Sequence, residues 1–315
     1  MDNTFTLTAF PGADLKLWLV GTFVGAVAYG IVVVLSLGCA IKYLQFLRMV
    51  KLNHHLKGIK NSRLFGHLLF PYVTMMFLVS TLAVLSGCIA IINMLFPAPA
   101  GTRGVVARFV AFGDVVPLVL AAWGADALMI WRCVVLYEDT AHIPRSLIHV
   151  LLCILALGSL GLGPAYMVTT LAVLNRLMVA FALMTAIFNF FMTTLIVLRL
   201  RPHQQFIQQA LGEEYGSPYA RLITMCVESA ALTVIFNVAH VFMQFNLNVG
   251  LVLSHQLLVH VYAISALLIV FAFSLEGLVI RKRFNATLNI HESRPPYSLP
   301  PQSSETCSGS DVYPR

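Results

Sequence analysis

The stretch WGADALMIWRC, residues 123–133, places an acid, Asp126, and a base, Arg132, inside an otherwise apolar run. The run extends from Val110 to Tyr137, which is longer than the roughly 18 residues that indicate a transmembrane helix. A charge at mid-bilayer costs roughly 2.5–3.5 kcal/mol, so such side chains normally face the interior of a bundle. The stretch therefore predicts a membrane helix with charged groups turned toward other helices.

The composition of the whole chain supports a membrane protein. Of its 315 residues, 59% are hydrophobic and 10% are charged, against roughly 25% charged in soluble domains. We predict an all-α membrane protein, a bundle of seven transmembrane helices. The predicted spans are Leu17–Ile41, Leu69–Phe96, Val110–Tyr137, Leu147–Leu171, Arg176–Leu200, Tyr219–Phe245 and Leu251–Ile280. The fourth and fifth are the least distinct, because the link between them, residues 168–176, is itself apolar.

The distribution of Lys and Arg predicts the orientation. Sixteen of the 20 basic residues fall on the side that holds the C-terminus, and basic residues mark the cytoplasmic side. The prediction is a short extracellular N-terminus (1–16), a membrane domain (17–283) and a disordered cytoplasmic tail (284–315). The asymmetry also explains the net charge of +7 without nucleic acid, and the lipid bilayer is the expected partner.

Further intramembrane charges predict an interhelical charge layer. Glu228 in the sixth span and Glu276 in the seventh lie at depths similar to those of Asp126 and Arg132. Six residues at 100° each place Asp126 and Arg132 on different faces of their helix. We therefore expect Arg132 to pair with Glu228 across helices. The alternative is that these charges only fix helix register.

Other polar residues are candidate ligand or ion contacts: Asp114, Trp123, His240, His255 and His260. Asp114 lies near the outer end of its span, where facing water is the simpler interpretation. No lysine lies in mid-membrane, which excludes a retinal Schiff base. The histidines lack the spacing of a haem or metal site. Catalytic motifs are absent, so we predict no enzyme, no cofactor and no metal.

Gly21 and Gly25 form a GxxxG pair in the first span. Small residues at this spacing allow two helix backbones to approach closely. Packing within the bundle is the favoured interpretation, and a homodimer contact is the alternative.

Several short motifs resemble those of a known group. They are Trp123 and Asp126 followed by Trp131-Arg132-Cys133, then Arg199-Leu200, then Glu228-Ser229-Ala230. In these motifs the chain resembles the orphan seven-span, GPCR-like membrane proteins that are expanded in mushroom-forming (basidiomycete) fungi. That resemblance implies a receptor-like protein of the plasma membrane, and it covers most of the membrane domain.

Together these features predict a GPCR-like chemosensor for an unknown small ligand, signalling to a cytoplasmic partner such as a G protein. The main alternative is a transporter or channel for a small solute, in which intramembrane Asp, Glu and His line a path. A second alternative is a membrane scaffold that does not signal.

Overall fold

A computed structural model of the chain describes residues 15–52, 60–96, 103–137, 150, 153–154, 156–158, 160–161, 163, 171–211, 213–246 and 253–272. The helices are α1 (Leu15–Leu52), α2 (Lys60–Leu95), α3 (Arg103–Tyr137), α5 (Leu171–Leu211), α6 (Glu213–Asn246) and α7 (Leu253–Ala272), with α4 comprising the helical residues between 150 and 163. The described part of the chain is helical, as predicted. All described residues belong to the first of two compact units, Met1–Glu276 and Gly277–Arg315.

Within the described residues, six helices are long and apolar enough to cross a membrane, which indicates an integral membrane protein. Their apolar segments are Trp18–Gln45, Leu68–Leu95, Val115–Tyr137, Leu177–Phe206, Ile223–Phe245 and Leu253–Ala272. Most of the predicted fourth span, Leu147–Leu171, lies outside the described residues. Large apolar side chains on the outside, such as Phe23 (71% exposed) and Phe245 (73% exposed), present the surface that lipid tails would cover.

Several helices continue well past the predicted spans. For example, α1 has 38 residues, or about 57 Å at 1.5 Å per residue, against about 30 Å of hydrocarbon. Hydropathy detects only the apolar part of a helix. The polar residues that follow in α1, including Arg48 and Lys51, still favour helix because their straight side chains lose little freedom there.

The helices α3 and α7 form the centre of the bundle. In their apolar segments 61% and 72% of residues are buried, against 28–50% in the other four spans. Contacts follow chain order from α1 to α2 to α3, and α3 packs on α5, which packs on α6. Contacts between Gly38 and Phe271, and between Ser80 and His260, place α7 against α1 and α2.

The glycine pair of α1 packs inside the chain. Gly21 and Gly25 are buried, and a Cβ at Gly21 would lie 2.7 Å from Gln256 Oε1 of α7. A Cβ at Gly25 would lie 3.7 Å from His260 Nε2. This face of α1 therefore serves close packing on α7, and α7 covers it against a second copy of the chain.

The closest approach of α2 to α3 depends on Gly113. A Cβ at this position would lie 2.5 Å from Ser86 Cβ, and the Ser86 hydroxyl donates to the Gly113 carbonyl at 2.9 Å. We expect Gly113→Ala to lower the free energy of unfolding by about 1–3 kcal/mol, because the two helices must separate. Gly30→Ala is the control, since a Cβ at Gly30 meets nothing within 4 Å. Alanine there should be neutral or stabilising by up to about 1 kcal/mol. Thermal unfolding of both variants in one detergent measures this, and equal shifts would contradict the expectation.

Candidate functional site

The segment of α3 from Trp123 to Cys133 carries two buried charges. Asp126 is 3% exposed and Arg132 is 5% exposed. Both side chains lie inside the bundle, because α3 is central. Both charges interact electrostatically with Tyr72 of α2, and Asp126 also interacts with Tyr262 of α7.

Arg132 connects three helices. Its guanidinium donates to Cys226 Sγ of α6 at 3.1 Å and to the Ile269 carbonyl of α7 at 3.1 Å. A planar guanidinium can serve two acceptors at once in a fixed geometry, which an ammonium group on a flexible stem cannot. We call this arrangement of Arg132, Cys226 and Ile269 the arginine clamp.

The predicted pairing of Arg132 with Glu228 is wrong. Glu228 is exposed, and the guanidinium of Arg132 is directed to Cys226 instead. The reason is the direction of the side chain, since Cys226 and Ser229 face the interior of the bundle and Glu228 lies 100° away from Ser229 around α6. Of the predicted charge layer, Asp126 and Arg132 are both buried in the bundle, while Glu276 lies outside the described residues.

A line of hydrogen bonds joins α6 to α7 beyond the clamp. Ser265 donates to the Ser229 carbonyl at 3.0 Å, and the Tyr262 hydroxyl donates to Asn237 Oδ1 at 2.7 Å. Farther along, His240 Nδ1 lies 2.8 Å from Ser254 Oγ. The partners advance in opposite directions along the two antiparallel helices. We call this set of contacts the polar seam.

The face of α6 that carries the seam was visible in the sequence as a repeat of polar residues. Ser229, Thr233, Asn237 and His240 recur every three or four residues, which places them on one face of a helix. All four are buried. Two of these side chains also form hydrogen bonds within α6. Thr233 donates to the Ser229 carbonyl, and Asn237 donates to the Thr233 carbonyl.

A small cavity lies at the end of the bundle opposite the clamp, with a volume of about 20 Å³. It lies between α1, α2, α3 and α7, and it is partly open. Its walls include Thr22, Gly25, Gly87, His255, Gln256 and His260. The volume accommodates about one water-sized group, so the cavity could hold the polar end of a ligand.

The remaining predicted contacts have three different outcomes. His255 and His260 line the cavity, and the ring centroid of His240 lies 6.4 Å from that of His255. Trp123 packs against Val119 of α3 and Gly163 of α4, which is a packing role. Asp114 lies within α3, but its side chain lies outside the described part of the structure.

Within the described residues, no group of three or more His, Cys, Asp or Glu side chains is placed to hold a metal ion. No protein-family model, curated protein or solved structure matches the chain.

Proposed function

We propose that this chain is a receptor-like chemosensor, a seven-helix bundle of the plasma membrane with its N-terminus outside and its C-terminus in the cytoplasm. The observation that carries the proposal is the arginine clamp. A buried guanidinium that bridges α3 to both α6 and α7 is a contact that helix movement would make or break. Switching membrane proteins need such a two-state element, which a ligand then shifts.

The central helix α7 runs from the cavity to the arginine clamp. His260 lies at the cavity and Ile269 lies at the clamp, nine residues apart on one helix, or about 14 Å. A ligand that displaces α7 at the cavity would also move the carbonyl that receives the Arg132 hydrogen bond. The polar seam would make α6 and α7 move as a pair relative to α3.

The proposed partner is a cytoplasmic protein such as a heterotrimeric G protein. By the positive-inside rule, the clamp lies at the cytoplasmic end of the bundle. Opening it would expose surface beside the basic inner segments, and α5 contributes Arg199 and Arg201 there. Basic segments of this kind favour an acidic protein surface or anionic lipid headgroups.

One observation favours the transport alternative. Buried polar side chains lie in the interior of the bundle, among them His260, Asn237 and Asp126, and Asn237 accepts a hydrogen bond from Tyr262. In transporters, buried polar groups of this kind can relay protons or coordinate an ion. The two proposals differ in whether the chain alone moves charge across a bilayer.

The experiment that separates them uses the purified full chain in sealed vesicles, with a pH-sensitive dye inside. We expect no proton flux above that of empty vesicles when a pH gradient and a potassium–valinomycin potential are applied. In parallel, affinity isolation of the tagged chain from its native membranes in mild detergent should recover a cytoplasmic signalling protein. Proton flux that Asp126→Asn abolishes, with no partner recovered, would replace the receptor proposal by the transporter.

A further inference from the structure

The helices α1 and α2 carry four basic residues where they leave the apolar part of the bundle. Arg48 and Lys51 follow the apolar segment of α1 by three and six residues. Lys60 and Arg63 precede the apolar segment of α2 by eight and five residues. At 1.5 Å per residue, these positions lie about 5–12 Å beyond the apolar segments. The headgroups of a phospholipid bilayer lie at this level.

A ring contact brings α1 and α2 together beside this basic end. Tyr43 of α1 stacks on Phe70 of α2, with ring centroids 5.0 Å apart. Arg48 lies five residues after Tyr43, and Arg63 lies seven residues before Phe70. The two helices run antiparallel, so both basic residues lie beyond the stacked rings in the same direction, within about 11 Å along the helix axes. The basic residues are therefore gathered at one end of one packed helix pair.

The spacing of the basic residues places like charges next to each other. Arg48 and Lys51 are three residues apart on α1, and Lys60 and Arg63 are three residues apart on α2. Residues at this spacing are neighbours on the surface of a helix. Neither α1 nor α2 contains an Asp or a Glu, so no carboxylate of the helix pair offsets the repulsion. Arg48 is exposed, and an anion from outside the chain can reach it.

The surroundings of the basic residues favour a lipid over a soluble anion. Leu44 is 53% exposed at the end of the apolar segment of α1, and Leu68 is 66% exposed at the start of the apolar segment of α2. Each of these apolar side chains lies between the bilayer core and the basic residues of its helix. A phospholipid covers both kinds of surface, because its acyl chains contact the leucines while its headgroup contacts the cations. Basic clusters directly beside a membrane span attract anionic lipids in this way.

From these positions we propose that this end of the α1–α2 pair binds the headgroup of an anionic phospholipid with more than one phosphate, such as a phosphatidylinositol bisphosphate. Four cations on two packed helices concentrate positive charge that one multiply charged headgroup can neutralise. Phosphatidylserine carries a single net negative charge and would neutralise only part of it. The inference goes beyond the proposed receptor function and does not depend on it.

Native mass spectrometry of the purified full chain, released from lipid nanodiscs, tests the proposal. One set of nanodiscs contains phosphatidylinositol bisphosphate in phosphatidylcholine, and a second set contains phosphatidylserine at equal total charge. We expect the chain to retain the bisphosphate lipid and to lose phosphatidylserine. Arg48→Gln should weaken retention of the bisphosphate lipid about fivefold, and Arg48→Gln with Lys51→Gln about 10–30-fold. Glutamine keeps a high helix propensity, so these variants should fold.

The matched control lies at the other end of the same helix. Lys16 is exposed on α1, and Lys16→Gln removes the same charge without changing the basic end, so it should retain the lipid as the wild type does. Equal retention of both lipids would overturn the proposal, because charges that only orient the chain in the membrane do not distinguish headgroups. Unchanged retention in the double variant would overturn it as well. Soluble inositol trisphosphate that binds as tightly as the lipid would show that the site does not recognise a membrane lipid.

Discussion

Arg132→Met should lower the free energy of unfolding by about 2–4 kcal/mol. The variant keeps an apolar stem but loses hydrogen bonds from a charged donor, each contributing about 1.5–3 kcal/mol. It leaves Cys226 Sγ and the Ile269 carbonyl without the guanidinium. Relief of the cost of burying the charge offsets part of the loss. The net effect remains large, because one side chain holds α3 against two other helices.

The comparison variants make this prediction specific. Arg132→Lys keeps the charge but replaces the planar fork of donors by an ammonium group on a flexible stem, so its unfolding temperature should fall between those of the wild type and Arg132→Met. Arg201 is exposed on α5, so Arg201→Met should change stability by less than about 0.5 kcal/mol. Thermal unfolding in one detergent measures all three. A stability of Arg132→Met equal to that of Arg201→Met would show that the clamp does not hold the helices.

Tyr262→Phe should lower the free energy of unfolding by about 1–3 kcal/mol. The substitution removes only the hydroxyl that donates to Asn237 Oδ1 at 2.7 Å. Tyr262 and Asn237 are both fully buried, so the amide oxygen loses its donor from α7 where water cannot replace it. A buried acceptor that has lost its donor destabilises the folded protein by the free energy of its desolvation.

A double-mutant cycle isolates the pair. Adding Asn237→Leu to Tyr262→Phe removes the orphaned acceptor, so the double variant should lose less than the sum of the single variants. The coupling free energy should lie between about 0.6 and 1.7 kcal/mol, the mean and the maximum found for hydrogen bonds between membrane helices. Tyr29→Phe is the control and should cost less stability than Tyr262→Phe. Its partner Thr81 still donates to the Phe77 carbonyl when the Tyr29 hydroxyl is gone. If the losses of the two single variants simply add, Tyr262 and Asn237 are not energetically coupled.

The sequence predicted the helical class and six of the membrane-crossing segments, because apolar length alone determines them. It also predicted the burial of Asp126, since a carboxylate in mid-span must face the bundle. The predicted pairing of Glu228 with Arg132 was wrong, because it was inferred from the depth of Glu228 in the membrane alone. The direction in which Glu228 points around α6 was not considered. The recurrence of Ser229, Thr233 and Asn237 on one face of α6 would have shown that Glu228 points away from the interior.

The cavity and the clamp could not be predicted in the same way. The cavity depends on Gly25 of α1 lying opposite His260 of α7, which are 235 positions apart in the chain. The clamp uses a thiol and a backbone carbonyl as acceptors, and neither carries a charge that a search for partners would reveal. Both features follow from the central positions of α3 and α7, which single-helix patterns do not encode.

The most direct test of the central claim compares the wild type with Arg132→Met. The quantity compared is the amount of the proposed cytoplasmic partner that each chain retains. Tagged chains, expressed at equal levels and isolated from native membranes in mild detergent, are analysed for bound proteins by quantitative mass spectrometry. If the clamp holds the resting arrangement of α3 against α6 and α7, the variant should retain several-fold more of a signalling protein such as a G protein. Equal recovery from both chains, or no cytoplasmic protein with either, would contradict the account.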